Sequence, residues 1–220
     1  MYYLGVDLGG TNIKAALVSE NGEIVKEAAA PTNLPRTAQE VCDDIAALCL
    51  QLSAGEQVAG IGVGCPGTVC DGVVLYSNNL DWHDFAMADY LQAKTGLPVC
   101  IGNDANVAAL GEAWKGAAAG SSDVIMVTLG TGVGGGIIVD GKIVTGHHGA
   151  GGEIGHANMD HHETESCNCG NRGCLEQFAS ATGIVRMAKK ELAASEEKSV
   201  LRDMENISAK AVLDAFKEND

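Results

Sequence analysis

Two glycine-rich segments are the parts of this chain that most directly suggest chemistry. Asp7 to Lys14 reads DLGGTNIK and Leu129 to Gly136 reads LGTGVGGG, and each follows an apolar stretch typical of a β-strand. Glycine lets the backbone approach an anion closely and turn its N–H groups inward, while the Thr11 and Thr131 hydroxyls add donors and Lys14 adds a positive charge. The pair predicts two turns that hold phosphate groups from two sides.

Neither segment fits a standard nucleotide-binding motif. The G-x-G-x-x-G fingerprint runs from a strand into a helix, whereas residues 13–18 read as another strand, and no Gly-Lys-Ser/Thr of a Walker loop is present. Two ordinary β-turns are the alternative interpretation, because glycine is a common turn residue. The occurrence of both turns in one chain, with Asp7 ending the first strand, favours phosphate binding.

A second candidate site lies where a strand gives way to a helix, at Asn103 and Asp104. One interpretation is an ordinary helix N-cap at Asp104. The other is a catalytic carboxylate, since Asp104 near a helix N-terminus is placed to accept a hydroxyl proton during phosphoryl transfer while Asn103 holds the same substrate.

A histidine and three cysteines form a candidate metal site: His156, Cys167, Cys169 and Cys174. One imidazole and three thiolates match the ligand preference of Zn²⁺, and a closed site of this kind is structural. The C-x-C spacing is tighter than that of the usual zinc knuckle, so three reduced surface thiols are the alternative. Four further histidines are competing candidate ligands: His147, His148, His161 and His162.

Glu153 and Glu176 flank these candidate metal ligands. Together with Asn103 and Asp104 they make a set rich in hydrogen-bond acceptors, which suits the many hydroxyl donors of a sugar. Acidic residues are usually solvated surface residues, so only the position beside the metal ligands singles out the two glutamates.

The elements that must carry these residues alternate between strands and helices. Apolar periodicity and turn residues predict strands over 2–6, 13–18, 23–29, 58–64, 73–76 and 99–102, and helices over 38–52, 84–93 and 104–114. Thr37 is the expected cap of the first helix. Residues 1–110 are assigned to one α/β domain that carries the first glycine turn and the Asn103-Asp104 pair.

The second part of the chain repeats the order of the first. Strands predicted over 122–129, 135–139 and 142–144 again enclose a glycine turn, which indicates an internal duplication. From Leu175 onward the chain is mostly helical, with Ser208 as a cap and an apolar stripe at Val212, Leu213 and Phe216 that suits a core or a subunit interface. Residues 111–220 are assigned to a second α/β domain.

Composition and charge exclude several classes of function. The 220 residues are 46% hydrophobic, and 14 basic against 29 acidic residues give a formal net charge of −15 without a basic run, which argues against nucleic acid or an anionic membrane as partner. No apolar run is long enough for a bilayer and the start lacks signal-peptide features, so we expect a cytoplasmic protein. Five of the eight cysteines are expected as reduced core residues: Cys42, Cys49, Cys65, Cys70 and Cys100.

These motifs resemble the ROK family of bacterial sugar kinases and repressors, within the superfamily of actin, Hsp70 and hexokinase folds. The similarity rests on D-x-G-G-T-x-x-K from Asp7, N-D-A-N from Asn103, L-G-T-G-x-G-G-G from Leu129, E-x-G-H from Glu153 and C-x-C-G-x-x-G-C-x-E from Cys167. It implies an α/β fold of two duplicated actin-like (ribonuclease H-like) ATPase domains with a cleft between them. Kinases of the family continue beyond the matching part, so the second domain is expected to be incomplete at its C-terminus.

The resemblance also implies roles for single residues. Asp104 is expected to be the catalytic base that activates the 6-hydroxyl group of the sugar. The other sugar-binding positions are expected to be Asn103, Glu153, His156 and Glu176. The positions expected to bind ATP phosphates, with Mg²⁺ near the first of them, are Asp7, Gly9, Gly10, Thr11, Lys14, Thr131 and Gly132. A structural Zn²⁺ is expected on His156, Cys167, Cys169 and Cys174, with the histidine facing metal and sugar at once.

The activity implied by this resemblance is transfer of phosphate from ATP to the 6-hydroxyl of a hexose, first of all D-glucose. Kinases of N-acetylmannosamine, N-acetylglucosamine, mannose and fructose use nearly the same sugar-binding wall and are alternatives. A sugar-binding transcriptional regulator or a non-catalytic sugar-binding fragment is the alternative of a different class. Regulators of the family carry a DNA-binding region before the first strand, which here begins at Tyr2. We expect a homodimer with no nucleic-acid or membrane partner.

Overall fold

Strands and helices alternate along the chain in the computed structural model, which describes residues 1–220. The first eleven elements are β1 (Tyr2–Leu8), β2 (Asn12–Ser19), β3 (Ile24–Pro31), α1 (Ala38–Ser53), β4 (Val58–Cys65), β5 (Thr68–Cys70), β6 (Val73–Ser77), β7 (Trp82–Phe85), α2 (Met87–Thr95), β8 (Val99–Asn103) and α3 (Asp104–Lys115). The remaining regular elements are β9 (Val124–Leu129), β10 (Val133–Val139), β11 (Lys142–Ile143), α4 (Glu176–Ala179), α5 (Ala181–Ala194) and α6 (Ala209–Lys217), with 3₁₀ turns at Ile154–His156 and Val200–Asp203.

A five-stranded sheet of order β3-β2-β1-β4-β8 forms the centre of the first part of the chain. β1, β2 and β3 pair antiparallel, whereas β1 with β4 and β4 with β8 run parallel. Asp7 pairs with Gly64, and Gly64 pairs with Gly102, so the last residues of the three parallel strands lie side by side. This edge of the sheet carries both Asp7 and the start of α3.

Helix α1 packs its apolar face into the core of this sheet. Val41 and Ile45 are fully buried, as the spacing predicts, and they belong to the same cluster as Leu4 and Leu17 of the strands. The helix begins after Thr37, whose hydroxyl accepts from the backbone N–H of Glu40 while the Glu40 side chain accepts from the backbone N–H of Thr37. The expected cap is therefore confirmed, and the reciprocal bond makes it a capping box.

The helix predicted over 84–93 is wrong at its start. Residues Trp82–Phe85 form β7, the third strand of a small sheet of order β5-β6-β7, and the helix begins only at Met87. Trp82, which pairs with Ser77 of β6, is buried to 4% exposure, and Asp84 adopts a φ of 48° that a helix excludes. Hairpin pairing of β7 with the preceding strand thus outweighs the helical spacing.

The second part of the chain contains a three-stranded sheet of order β11-β10-β9. Contacts between residues divide the chain into two compact units, of which unit 1 comprises 1–125 and 136–151 and unit 2 comprises 126–135 and 152–220. These units do not coincide with the division proposed at residues 110 and 111, and the duplication of two actin-like domains stays a prediction.

The helices of unit 2 begin largely as the sequence predicts. Ser208 caps α6 by accepting a hydrogen bond from the backbone N–H of Ala211 at 3.1 Å. Its apolar stripe is not part of a core within this chain, because Phe216 is 74% exposed and Leu213 is also exposed. No helix of the chain is both long and apolar enough to cross a membrane.

The cysteines outside the candidate metal site fall into two groups. Cys42, Cys49 and Cys65 are buried core residues as expected, and burial raises the pKa of their thiols. Cys100 is exposed on β8, so its assignment to the core is wrong, and Cys70 is only half-buried. All eight cysteines are free thiols.

Candidate active site

The first glycine turn joins β1 to β2 in unit 1. The Gly9 N–H donates to the Asn12 carbonyl oxygen at 2.9 Å, and Gly10 and Thr11 lie exposed at the tip. The fully buried Thr32 holds the turn through two hydrogen bonds. Its hydroxyl donates to the Gly9 carbonyl at 2.7 Å and its N–H donates to the Thr11 carbonyl at 2.9 Å. The sequence analysis did not identify Thr32, because only the register of β2 with β3 brings it to the turn.

Asp7 and Lys14 stand directly opposite each other close to the turn of this hairpin, next to the last strand pair Leu8 and Ile13. Both are exposed, and residues that pair across antiparallel strands direct their side chains to the same face. A carboxylate and an ammonium group therefore accompany the exposed turn. The carboxylate is a suitable oxygen ligand for Mg²⁺, and the ammonium group is a suitable partner for phosphate.

Asn103, and not Asp104, is the N-cap of α3. Its Oδ1 accepts from the backbone N–H of Asn106 at 3.1 Å, and its Nδ2 donates to the Gly67 carbonyl at 3.0 Å. The interpretation of Asp104 as an ordinary N-cap is therefore wrong. An amide group has two donors and an oxygen with two lone pairs, so Asn103 keeps one donor and one acceptor for a substrate.

Asp104 is the first residue of α3 and its Oδ1 accepts from the backbone N–H of Ala105 at 2.8 Å. The side chain is accessible to solvent, but the protein packed around the carboxyl group withdraws water from it, and this burial raises the Asp104 pKa above its ordinary value. The nearby negative charge of Asp7 raises it further, against the lowering by the Ala105 N–H. A carboxylate with a raised pKa is a better general base near neutral pH.

The second glycine turn joins β9 to β10 in unit 2. The Gly130 N–H donates to the Gly132 carbonyl at 3.0 Å, which closes a tight turn. The Val133 N–H donates to Glu176 Oε2 at 2.9 Å, so this turn is linked directly to a predicted sugar-binding residue. A Cβ atom at Gly132 would overlap with the Glu176 carboxylate. A larger residue at this position would displace that carboxylate from the turn.

The four predicted zinc ligands come together in unit 2. The ligand atoms of His156, Cys167, Cys169 and Cys174 all lie within 4.8 Å of one another. The Cys169 and Cys174 sulfur atoms are 3.7 Å apart, and Cys167 Sγ is 3.8 Å from His156 Nδ1. Tetrahedral Zn²⁺ with bonds of about 2.3 Å to sulfur places two sulfur atoms about 3.8 Å apart, so the donor set fits this ion. The competing histidines, His147, His148, His161 and His162, are not members of this group.

His156 presents its two ring nitrogens to different neighbours. Nδ1 faces Cys167, whereas Nε2 lies 4.0 Å from Glu153 Oε2. Glu153 precedes the 3₁₀ turn Ile154–His156, which fixes the spacing between the two side chains. On the other side, Glu176 Oε1 lies 3.9 Å from Cys167 Sγ. Two carboxylates therefore flank the metal-ligand cluster, with one imidazole nitrogen directed away from it.

Gln177 and Arg186 hold the loop that carries the cysteines, and the sequence analysis identified neither. The Gln177 side chain accepts from the Cys174 N–H at 3.1 Å and donates to the Glu165 carbonyl at 3.0 Å. Arg186 of α5 donates to the Gln177 carbonyl and to the carboxylates of Glu163 and Glu165. The backbone N–H of Glu165 together with Arg186 lowers the pKa of Glu163 to about 2.

The predicted site residues thus fall into two sets. Unit 1 brings together the first glycine turn, Asp7 and the Asn103-Asp104 pair along one edge of the sheet. Unit 2 brings together the second glycine turn, the metal-ligand cluster and the two glutamates. That the two sets face each other across a cleft stays a prediction.

Comparisons with known proteins identify the family of the chain. The chain matches the ROK family over residues 3–219. It is 42% identical to a glucokinase of Halalkalibacterium halodurans over 98% of this chain and 67% of that protein, and 40% identical to a glucokinase of Thermotoga maritima over 99% and 70%. Among solved structures, a ROK family glucokinase from Streptomyces griseus in complex with glucose and AMPPNP has a TM-score of 0.77 and 41% identity, over 89% of this chain and 62% of that one.

The chain therefore spans about two thirds of the length of the relatives it matches. The family match covers nearly every residue from β1 to α6, including both glycine turns, the Asn103-Asp104 pair and the histidine–cysteine cluster. On this evidence the chain belongs to the ROK family.

Proposed function

We propose that this protein is an ATP-dependent hexose kinase that phosphorylates the 6-hydroxyl group of D-glucose. The observation that carries the proposal is the position of Asp104, an exposed carboxylate with a raised pKa on the same sheet edge as the first glycine turn. The relatives at 40–42% identity that are named glucokinase support the same reaction and substrate.

Asp104 performs the proton transfer in the proposed reaction. The 6-oxygen of the sugar attacks the γ-phosphorus of ATP, the bond from that phosphorus to the β–γ bridging oxygen breaks, and the hydroxyl proton passes to the Asp104 carboxylate. ADP and the sugar 6-phosphate leave. Asn103 uses its remaining donor and acceptor to orient the same sugar, because its other two hydrogen bonds fix α3.

Negative charge on the transferring phosphoryl group must be neutralised for this step. The exposed backbone of Gly10 and Thr11 provides donors beside Gly9, as do Thr131 and Gly132 of the second turn, and the Lys14 ammonium adds a positive charge. Asp7 would hold Mg²⁺, which supplies further charge neutralisation between the phosphate oxygens. We propose that the two turns belong to duplicated actin-like domains that close on the nucleotide and exclude water.

The sugar-binding wall consists of Glu153, His156 and Glu176. Carboxylate oxygens accept from sugar hydroxyls, and the outward Nε2 of His156 completes the set. A structural Zn²⁺ on the histidine and the three cysteines would fix the ring orientation of His156, and with it the wall.

We also propose a cellular compartment and an oligomeric state for the enzyme. Eight free thiols, three of them in a metal-ligand cluster, suit the reducing cytoplasm, and the net charge of −15 does not favour nucleic acid as a partner. The exposed apolar side chains of α6 suit the subunit interface of a homodimer.

A coupled assay of ADP release over a panel of sugars tests the function. We expect the fastest release with D-glucose and slower release with mannose, fructose, N-acetylmannosamine and N-acetylglucosamine. Calorimetric binding of each sugar in the absence of nucleotide separates a kinase from a protein that only binds sugar. Sugar binding without sugar-dependent ADP release would contradict the kinase assignment, and preference for an N-acetylated sugar would change the substrate.

A further inference from the structure

The second glycine turn is held by the short segment that follows the metal-ligand cluster. We call residues 176–182 the brace. Three hydrogen bonds join the brace to the turn: Glu176 Oε2 accepts from the Val133 N–H at 2.9 Å, the Ala181 N–H donates to the Gly130 carbonyl at 2.9 Å, and the Thr182 hydroxyl donates to the Thr131 carbonyl at 2.9 Å. Both backbone and side chains of the brace therefore define the shape of the turn.

The carboxylate of Glu176 lies between the second glycine turn and the metal-ligand cluster. Oε2 is bonded to the Val133 N–H of the phosphate turn, and Oε1 lies 3.9 Å from Cys167 Sγ of the metal-ligand cluster. Gly132 packs so closely on this carboxylate that a Cβ there would overlap with it. A shift of the Glu176 carboxylate away from the turn therefore breaks its bond to the Val133 N–H, and a shift towards the turn is blocked by Gly132.

A chain of hydrogen bonds inside the brace extends this connection. The buried Ser180 hydroxyl donates to the Glu176 carbonyl at 2.7 Å and accepts from the Gly183 N–H at 2.9 Å. It also lies 3.0 Å from the Thr182 hydroxyl, which bonds the turn. Each hydroxyl donates its one proton to a carbonyl, so Ser180 and Thr182 meet in a close polar contact, and displacement of one side chain displaces the other.

We propose that the brace couples the sugar-binding wall to the second phosphate turn, with Thr182 and Ser180 as positioning residues. A sugar hydroxyl that donates to Glu176 holds the carboxylate in the orientation that also accepts the Val133 N–H. The turn is then already ordered when phosphate arrives, so sugar and nucleotide each tighten the binding of the other by the same factor. This inference rests on the proposed function, because it takes Glu176 as a sugar ligand and the turn as a phosphate site.

Thr182→Val and Thr182→Ser form the first test. Valine keeps the shape of the threonine side chain but lacks the hydroxyl that donates to the Thr131 carbonyl. Serine keeps that hydroxyl. We expect D-glucose to tighten binding of a non-hydrolysable ATP analogue by about fivefold or more in the parent and in Thr182→Ser, and by a factor near one in Thr182→Val. When glucose is added without nucleotide, we expect amide hydrogen exchange of residues 129–134 to slow in the parent and in Thr182→Ser, but not in Thr182→Val.

Gly132→Ala and Gly111→Ala form the second test, which needs no nucleotide. Alanine at 132 displaces the Glu176 carboxylate, whereas a Cβ at Gly111 of α3 has no atom within 4 Å. Gly132 lies in a phosphate turn, yet we expect Gly132→Ala to weaken glucose binding about tenfold. Gly111→Ala is expected to leave glucose binding unchanged. Zinc content and far-UV circular dichroism are expected to be equal in both.

The outcomes of these tests distinguish a failure of the proposed coupling from a failure of the proposed kinase function. Equal glucose-dependent protection of residues 129–134 in parent, valine and serine variants overturns the coupling, as does glucose binding without any protection in the parent. Unchanged glucose affinity in Gly132→Ala also overturns it. A parent that binds no sugar and releases no ADP contradicts the proposed function itself, and the coupling with it.

Discussion

At the scale of single residues, the position of Asp104 distinguishes a catalytic carboxylate from a structural one. A carboxylate at an N-cap is committed to the backbone N–H groups further along the helix, but here Asn103 performs that task. The Asp104 carboxylate interacts only with the adjacent N–H groups of Ala105 and of Asp104 itself, so it keeps lone pairs that can take a proton. The burial and the Asp7 charge that raise its pKa are costs to stability that suit a general base.

Asp104→Asn tests the role of this residue. The amide keeps the size and an acceptor for the Ala105 N–H, but it has no basicity, so we expect kcat to fall by about a hundredfold or more while glucose affinity changes little. The low-pH limb of the parent kcat/KM profile, which reports this carboxylate, is expected above the pH of an ordinary aspartate and absent from the variant. Sugar phosphorylation near the parent rate would contradict the assignment.

At the scale of elements, short segments around the metal-ligand cluster position the residues of the sugar wall. The 3₁₀ turn Ile154–His156 sets Glu153 against the imidazole, and α4 begins at Glu176. Arg186 and Gln177 tie the intervening loop to α5. The loop has little regular structure of its own, so we expect the metal to supply much of its order.

Cys169→Ser tests this dependence, with Cys100→Ser as the matched control. Cys169 belongs to the ligand group, whereas Cys100 is an exposed thiol on β8. We expect Cys169→Ser to lose bound zinc and to bind glucose at least about tenfold more weakly, because second-shell and ligand changes typically cost this much. The control is expected to retain one zinc per chain and parent affinity. Equal metal content in the two variants would exclude the site.

Comparison of these elements with the sequence shows which features are local. Thr37, Ser208 and the strand–turn–strand of residues 2–18 follow from capping and turn rules within a few positions, and the structure confirms them. The cysteine cluster was identifiable because its ligands are specific to metal chemistry. Strand β7 was not, since its pairing with β6 depends on partners that the helical spacing of 84–93 does not reveal.

The supporting residues of the site were beyond sequence reasoning for a related reason. Thr32, Gln177 and Thr182 are ordinary polar residues by type, and each gains its role from a backbone carbonyl that is 12 or more residues away in the chain. Asn103 and Asp104 were identified together, but only the geometry of α3 shows which of them caps the helix.

At the scale of the whole molecule, stability and activity place opposite demands on the titrating carboxylates. Asp104 has a raised pKa, so the folded state holds its proton to a higher pH than the unfolded state does, and its contribution to stability is lost as pH rises through the folded pKa. Glu163 behaves in the opposite way. Its side chain is only 6% exposed, and the Glu165 N–H and Arg186 lower its pKa to about 2, so its stabilisation is present at neutral pH and lost on acidification.

Asp104→Asn and Glu163→Gln are therefore expected to change the unfolding temperature in opposite directions. At pH 7.5, without nucleotide or sugar, the unfolding midpoint of Asp104→Asn should lie above that of the parent, because a carboxylate that is costly to ionise has been replaced by a neutral group. Glu163→Gln should lie below it, because Arg186 and Lys190 lose one of their two anionic partners, the more buried one, and keep only Glu165. Both differences should shrink as the pH approaches 3, where Asp104 is protonated in the parent and Glu163 begins to follow. Calorimetry at the two pH values measures this, and an Asp104→Asn protein that is less stable than the parent at pH 7.5 would show that the carboxylate serves the fold and not the reaction.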